Sequence, residues 1–197
     1  MARVTAIVLG AGAGRRMRGA DKLLAPVAGA PLLRRVAEAA LAGGASEVVV
    51  VIPPGALARR AALAGLAVRV VEAAEHAEGM AASLRAGLAA VSARAEAALL
   101  LLGDMPEIGA VEIGAVIAAF DPEAGRDLCR ATSAQGEPGH PVLFGRRHFS
   151  ALAALTGDAG ARSVLQGAEV TLVATRGRAA VTDLDTPEDW ARWRAGR

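Results

Sequence analysis

The chain has no tyrosine and no asparagine, a single cysteine, Cys129, and a single lysine, Lys22. Aromatic residues make up only 3% of it, too few for the stacking platforms on which proteins bind single-stranded nucleic acid. One thiol excludes an internal disulfide and fits a reducing compartment. No apolar run approaches the length of roughly eighteen residues that a membrane span needs. The N-terminal apolar run at 4–9 imitates a secretory leader poorly, because Arg15 and Arg16 follow at once. A cytoplasmic protein is expected. Excess charge is also missing: the formal net charge is +2 and the arginines are scattered. Neither nucleic acid nor a membrane is therefore an expected partner.

What is present is a chain of 197 residues, 53% hydrophobic and 21% charged, a composition that predicts one folded domain spanning 1–197. Strands are predicted at 4–9, 47–52, 68–71 and 97–102, with weaker ones at 128–131, 142–144, 169–174 and 180–183. Helices are predicted at 32–42, 56–64, 80–91, 110–120, 147–155, 162–165 and 188–194. Pro31 and the Gly43-Gly44 pair are start and stop signals for the first helix. The runs VVVVI and ALLLL lack polar alternation, as strands buried on both faces of a parallel sheet do. The alternation of strands and helices through residue 120 reads as a three-layer α/β sheet. Between 121 and 155 the pattern loosens, which reads as an inserted or peripheral lobe.

Ligands of open α/β sheets bind beyond the carboxyl ends of the strands. Four loops qualify, those after Leu9, Ile52, Val71 and Leu102. The first is LGAGAGRRMRGADKLL, residues 9–24. Gly10, Gly12 and Gly14 let backbone pass close to a ligand, and successive amides in such a turn can cradle phosphate oxygens. A dinucleotide fingerprint would need its third glycine one place later, where Arg15 stands, and a P-loop would need Ser or Thr after its lysine. A flexible glycine turn with solvated arginines is the plainer alternative. Against it stands the lysine count: every other cationic side chain of the 22 is arginine, so a compact ammonium is specifically wanted at Lys22.

Asp104 follows the 97–102 strand, at the carboxyl edge of the sheet. It reads either as part of a capped turn or as a carboxylate that Mg²⁺ joins to bound phosphates, since Mg²⁺ takes one or two carboxylates plus phosphate oxygens. Asp183 and Asp185 offer a second carboxylate. They can equally be a solvated strand end and a helix N-cap. Gly79 and Ser83 open a helix whose small residues permit close approach of a ribose or base. His140, between Gly139 and Pro141, reads by itself as a structural or surface residue. His76 and His148 show no partner pattern, and neither zinc spacing nor a G-x-S-x-G nucleophile elbow is present.

The 9–24 loop resembles the L-x-x-G-x-[SG]-x-R-M…K-L-L signature of the nucleotidyltransferases related to molybdenum-cofactor cytidylyl- and guanylyltransferases. Arg18 replaces a usual glycine and Gly10 a usual alanine. The likeness continues through GMAASLRAGL at 79–88, LLGDMP at 101–106, GHPVLF at 139–144, GDAGAR at 157–162 and DLDTPEDW at 183–190, in the family's order.

This resemblance implies a Rossmann-like, GT-A type fold with a mostly parallel central sheet, with 1–120 as nucleotide-binding half and 121–197 as acceptor-binding half. It implies a nucleotide site formed by Leu9, Gly10, Ala11, Gly12, Ala13, Gly14, Arg16, Lys22, Gly79, Ser83 and Asp104. Within it Ser83 would meet the base, and Arg16, Lys22 and Asp104 would act in catalysis. Asp104 and Asp185, the residue before Thr-Pro, would carry Mg²⁺, and Gly139, His140 and Pro141 would meet the acceptor. CTP and a molybdopterin-type acceptor are the expected substrates, because GMAASL and GHPVLF resemble the cytidylyl branch more. Transient contact with a molybdoenzyme or its chaperone is an expected partnership. Rival readings are a guanylyltransferase, transfer to a sugar or alcohol phosphate, a non-catalytic cofactor-binding accessory protein, and a dinucleotide-dependent oxidoreductase.

Overall fold

Strand β1 (Val4–Leu9) lacks polar alternation because both of its faces are covered. Val4, Ala6 and Val8 enter one apolar layer and Ile7 enters the other, as the two-residue period of a strand requires. The computed structural model describes residues 2–12, 17, 20–157 and 160–196. After β1 come a short hairpin, β2 (Pro26–Val27) and β3 (Ala30–Pro31), then α1 (Leu32–Ala42), β4 (Glu47–Ile52), α2 (Leu57–Ala62) and β5 (Arg69–Glu72). They are followed by α3 (Met80–Ala89), β6 (Ala97–Leu102), α4 (Ala110–Ala119), β7 (Leu128–Thr132) and β8 (Pro138–Gly145). The chain ends with α5 (Phe149–Ala153), α6 (Arg162–Leu165), β9 (Thr171–Ala174) and α7 (Pro187–Ala195).

Seven strands form one sheet in the order β5-β4-β1-β6-β8-β7-β9. The β5, β4, β1 and β6 neighbours are parallel, and so are β7 and β9. Among the described residues of this sheet only β8 runs antiparallel to its partners. Leu32, Leu33 and Val36 of α1 and Ile113 and Val116 of α4 cover one face. Ala81 and Leu84 of α3 and Leu152 of α5 cover the other. Burying side chains of this size stabilises by about 1.5–3 kcal/mol each. Helix α3 lies unusually close to the sheet at Gly87, where a Cβ would sit 2.5 Å from Ile7 Cγ2.

The 121–155 stretch is not a peripheral lobe. Strands β7 and β8 continue the main sheet, with Leu99 of β6 opposite Leu143 of β8. Strand β8 is also longer than the expected 142–144, because cross-strand partners hold it across Gly139 and Pro141 where local propensity would break it. The expected strand at 180–183 is a 3₁₀ turn, Ala179–Val181. It lies over β8, with the Ala180 carbonyl oxygen 1.8 Å from where a Gly139 Cβ would be. Only glycine fits there.

Candidate active site

The carboxyl ends of β1 and β6 are adjacent, so their loops meet. Gly103 N donates to Leu9 O at 3.0 Å, and a Cβ on Gly103 would lie 2.9 Å from that oxygen. Asp104 follows directly. Lys22 stands on a 3₁₀ turn, Lys22–Leu24, whose start is fixed by Leu23 N donating to Asp21 Oδ1 at 3.0 Å. The turn points the ammonium inward, where Lys22 Nζ donates to Asp104 Oδ2 at 2.6 Å and to Asp185 Oδ1 at 2.5 Å. Three residues separated by up to 163 positions thus share one point.

Asp185 is not the cap of α7. Thr186 is: its Oγ1 accepts from Asp189 N at 3.1 Å, its own N donates back to Asp189 Oδ2 at 2.9 Å, and Pro187 opens the helix. The cap one residue later leaves the Asp185 carboxylate for Lys22. Leu184 N donates to Asp104 O at 3.3 Å and fastens the two acidic segments together.

Burial alone would lower the pKa of Lys22, but Asp104 and Asp185 outweigh it and hold the ammonium above its ordinary value. Burial and the neighbouring Asp104 and Asp185 push Asp183 upward, as expected where carboxylates crowd. Asp104 Oδ1 is buried and has no hydrogen-bond partner among the described residues. Two carboxylates converging on one cation, with an unused oxygen beside them, fit a divalent ion. The described residues hold no cluster of three or more protein ligands, so phosphate and water would complete the shell, as Mg²⁺ prefers.

Beside Asp104 opens a cleft of about 360 Å³, to whose lining Leu9, Ala11, Gly12, Gly79 and Ser83 contribute. A Cβ on Gly12 would touch no atom of the described residues, so their packing does not demand glycine there. Gly10 differs, since its Cβ would press on Val51 O and Leu33 Cδ1, both at 3.0 Å. Gly79 adopts φ +110°, the region that favours glycine, and turns the chain into α3, where Ser83 is buried on the first turn. Ala13, Gly14 and Arg16, like Arg15 and Arg18, lie outside the described residues.

Gly139, His140 and Pro141 lie on β8. His140 is pushed down to about 4 by burial and then by Arg130, with Asp104 opposing. Near neutral pH it is an uncharged imidazole. Cys129, pushed up to about 11 by burial, is an unreactive thiol.

Two features escaped sequence reasoning. Arg59, from α2, is only 7% exposed. Its fork donates to Gly10 O at 2.5 Å, Gly12 O at 3.1 Å, and both Asp21 oxygens at 2.7 and 3.1 Å. It therefore ties the two ends of the glycine-rich loop together and orients the turn that carries Lys22. Its sequence signal was weak: an arginine in a short helix reads as solvated. His148, without a partner pattern in the sequence, has one in space, with Nε2 2.9 Å from the buried Asp127.

The chain is 32% identical over 197 residues to nicotine blue oxidoreductase from Paenarthrobacter nicotinovorans, covering 96% of this chain and 95% of that one. Among solved structures it resembles Rv0371c from Mycobacterium tuberculosis H37Rv, with 31% identity, a TM-score of 0.84, and 98% and 97% of the two chains covered. The manganese complex of that mycobacterial protein aligns at 29% identity and TM-score 0.78, over 96% and 97% of the chains. A nucleotidyl transferase from Methanothermobacter thermautotroptrophicus shares the fold at TM-score 0.82 and 23% identity, over 98% and 97%. The MobA-like NTP transferase domain matches residues 6–175, so the chain belongs to the MobA-like NTP transferase family.

Proposed function

We propose that the protein transfers a nucleoside monophosphate from a nucleoside triphosphate to a phosphorylated acceptor, with CTP and a molybdopterin-type phosphate as the substrate pair. The observation that carries this reading is the convergence of Lys22, Asp104 and Asp185 beside the Gly12–Ser83 cleft. In the reaction an acceptor phosphate oxygen attacks the α-phosphorus, the bond from that phosphorus to the bridging oxygen breaks, and pyrophosphate leaves. No protein nucleophile is needed, and the protein's part is positioning and charge stabilisation. The nucleotide-binding half, 1–120, offers backbone around Gly12 to the phosphates, Ser83 to the base, and Lys22 and Arg16 to the charge on the transferring and leaving groups. The acceptor-binding half, 121–197, offers Gly139, His140 and Pro141. Asp104 and Asp185 would hold Mg²⁺ or Mn²⁺. When bound there, such an ion supplies neutralisation of phosphate oxygens.

The identity with nicotine blue oxidoreductase favours a second reading, redox chemistry on the same fold. Incubation with Mg²⁺, each nucleoside triphosphate and a pterin phosphate, with pyrophosphate as the readout, separates the two. Release that needs the acceptor and is faster with CTP supports the proposal. Oxidation of a reduced nicotinamide by a quinone-like dye, without pyrophosphate from any triphosphate, would replace it.

A further inference from the structure

A second cleft, of about 410 Å³, opens between β8 and the 160–165 segment. Its floor is apolar, with Leu100, Val142 and Leu165, and its polar groups are Arg130, Arg162 and His140. No carboxylate is part of this lining among the described residues. Met80 lines both this cleft and the one beside Asp104, so the two adjoin.

Among the described residues the two arginines have no acid partner. Arg130 Nε donates to Gly139 O at 3.0 Å and Nη2 to Pro138 O at 3.3 Å. These neutral acceptors fix the plane of the guanidinium and do not compensate its charge. Arg162 is exposed and has no hydrogen-bond or ion-pair partner among the described residues. It belongs to the GDAGAR segment, whose purpose the nucleotide site does not explain. The charge that Arg130 feels most is that of Arg162, another cation, which with burial lowers its pKa. A cleft with low-dielectric walls and charge of one sign concentrates counter-ions, and a guanidinium fork matches carboxylate and phosphate geometry.

We propose that this cleft binds a second anionic group of the acceptor, an oxyanion that is not consumed in the reaction, while an apolar part of the acceptor lies on Leu100, Val142 and Leu165. The placement of the acceptor rests on the nucleotidyl-transfer reading, whereas the anion site itself does not. Acceptors with one phosphate on a neutral polyol leave Arg130 and Arg162 without a partner and bind worse than acceptors with a further acid. Neutral His140, which lines the same cleft, offers a hydrogen bond without adding charge.

Methyl NMR on the full chain tests this, following Val142 and Leu165 while inorganic phosphate or malonate is added. Saturable shifts with at least one probe are expected, and the choice of probe separates a phosphate from a carboxylate site. Arg162→Gln, on an exposed side chain, should weaken that binding at least fivefold, and Arg130→Gln more. Because Arg130 also braces β8, the Arg162 variant carries the test if the other fails to fold. Absence of shifts with both probes, or equal affinity in Arg162→Gln, overturns the proposal. The pyrophosphate assay reports independently: anion binding without pyrophosphate release would leave the anion site standing and remove the transferase reading.

Discussion

Replacing Arg59 by methionine keeps the apolar stem of the side chain and deletes the fork. Four hydrogen bonds vanish, two to the Asp21 carboxylate and two to the carbonyls of Gly10 and Gly12. Breaking a buried ion pair by removing one partner costs about 3–5 kcal/mol, because the other charge stays buried and unpaired. Here the Asp21 side chain is 27% exposed and regains part of its hydration, so the lower end applies. A destabilisation of about 2–4 kcal/mol is expected, within the 5–15 kcal/mol or so that a domain possesses. The variant should therefore fold.

Guanidinium denaturation measures the stability loss, and nucleotide titration measures the functional one. If Arg59 positions the glycine-rich loop, the nucleotide KM should rise at least tenfold under conditions where the variant is fully folded. Arg59→Lys should not rescue it, since one ammonium cannot serve a carboxylate and two carbonyls in the geometry of a planar fork. A double-mutant cycle with Asp21→Asn should return a coupling of about 1–3 kcal/mol. A loss below about 1 kcal/mol together with an unchanged nucleotide KM would refute the clamp.

Lys22→Arg keeps the charge but cannot place a guanidinium in the space between Asp104 and Asp185, so kcat should fall at least tenfold with folding intact; wild-type kinetics would remove Lys22 from the transition state. Asp185→Asn should raise the Mg²⁺ concentration needed for half-maximal activity far more than Asp183→Asn, because Asp185 and not Asp183 shares the Lys22 ammonium with Asp104; the reverse order would exchange their roles. Gly139→Ala places a Cβ 1.8 Å from the Ala180 carbonyl oxygen, and a rigid backbone overlap of this kind should cost about 3 kcal/mol in a denaturant melt. His140 should titrate in NMR at about 4, below its unfolded value of 6.5. The unfolded chain then binds the extra proton first, so this group's contribution to stability is complete above pH 6.5 and falls as pH drops toward 4. A ring that titrates near 6.5 would refute the burial of His140.

The parts of the fold that were legible in sequence were those where one local signal sufficed. The β1, β4 and β6 runs are short stretches dominated by β-branched residues, leucine and alanine, with only Thr5 and the leading Glu47 polar, and no helix competes for lengths of six. Strand β8 was cut short because Gly139 and Pro141 are strand breakers in isolation. In the folded chain Arg130 braces Gly139 and Pro138 from β7, and that support comes from a residue in another strand. The 180–183 run failed for the converse reason. Its composition suits a strand, but the chain there packs its backbone onto β8, an outcome decided by a glycine forty residues away.

The candidate site divides along the same line. Lys22, Asp104 and Asp185 were visible as a lone lysine, a turn after a buried strand and an acid before Thr-Pro, although nothing in the sequence places them within 2.6 Å of one atom. Arg59 was invisible for a physical reason. A buried arginine is tolerated only where acceptors surround it, and its acceptors are two backbone carbonyls and an acid 38 or more positions away. Backbone carbonyls carry no residue identity. A glycine-rich loop held through its carbonyls therefore leaves no mark at the glycines themselves, and the only trace is a charged side chain in a helix whose remaining basic residue, Arg60, reaches outward to Glu72. Arg59 and Arg60 are indistinguishable in the sequence, and the roughly 100° of helical rotation between them decides which one enters the site.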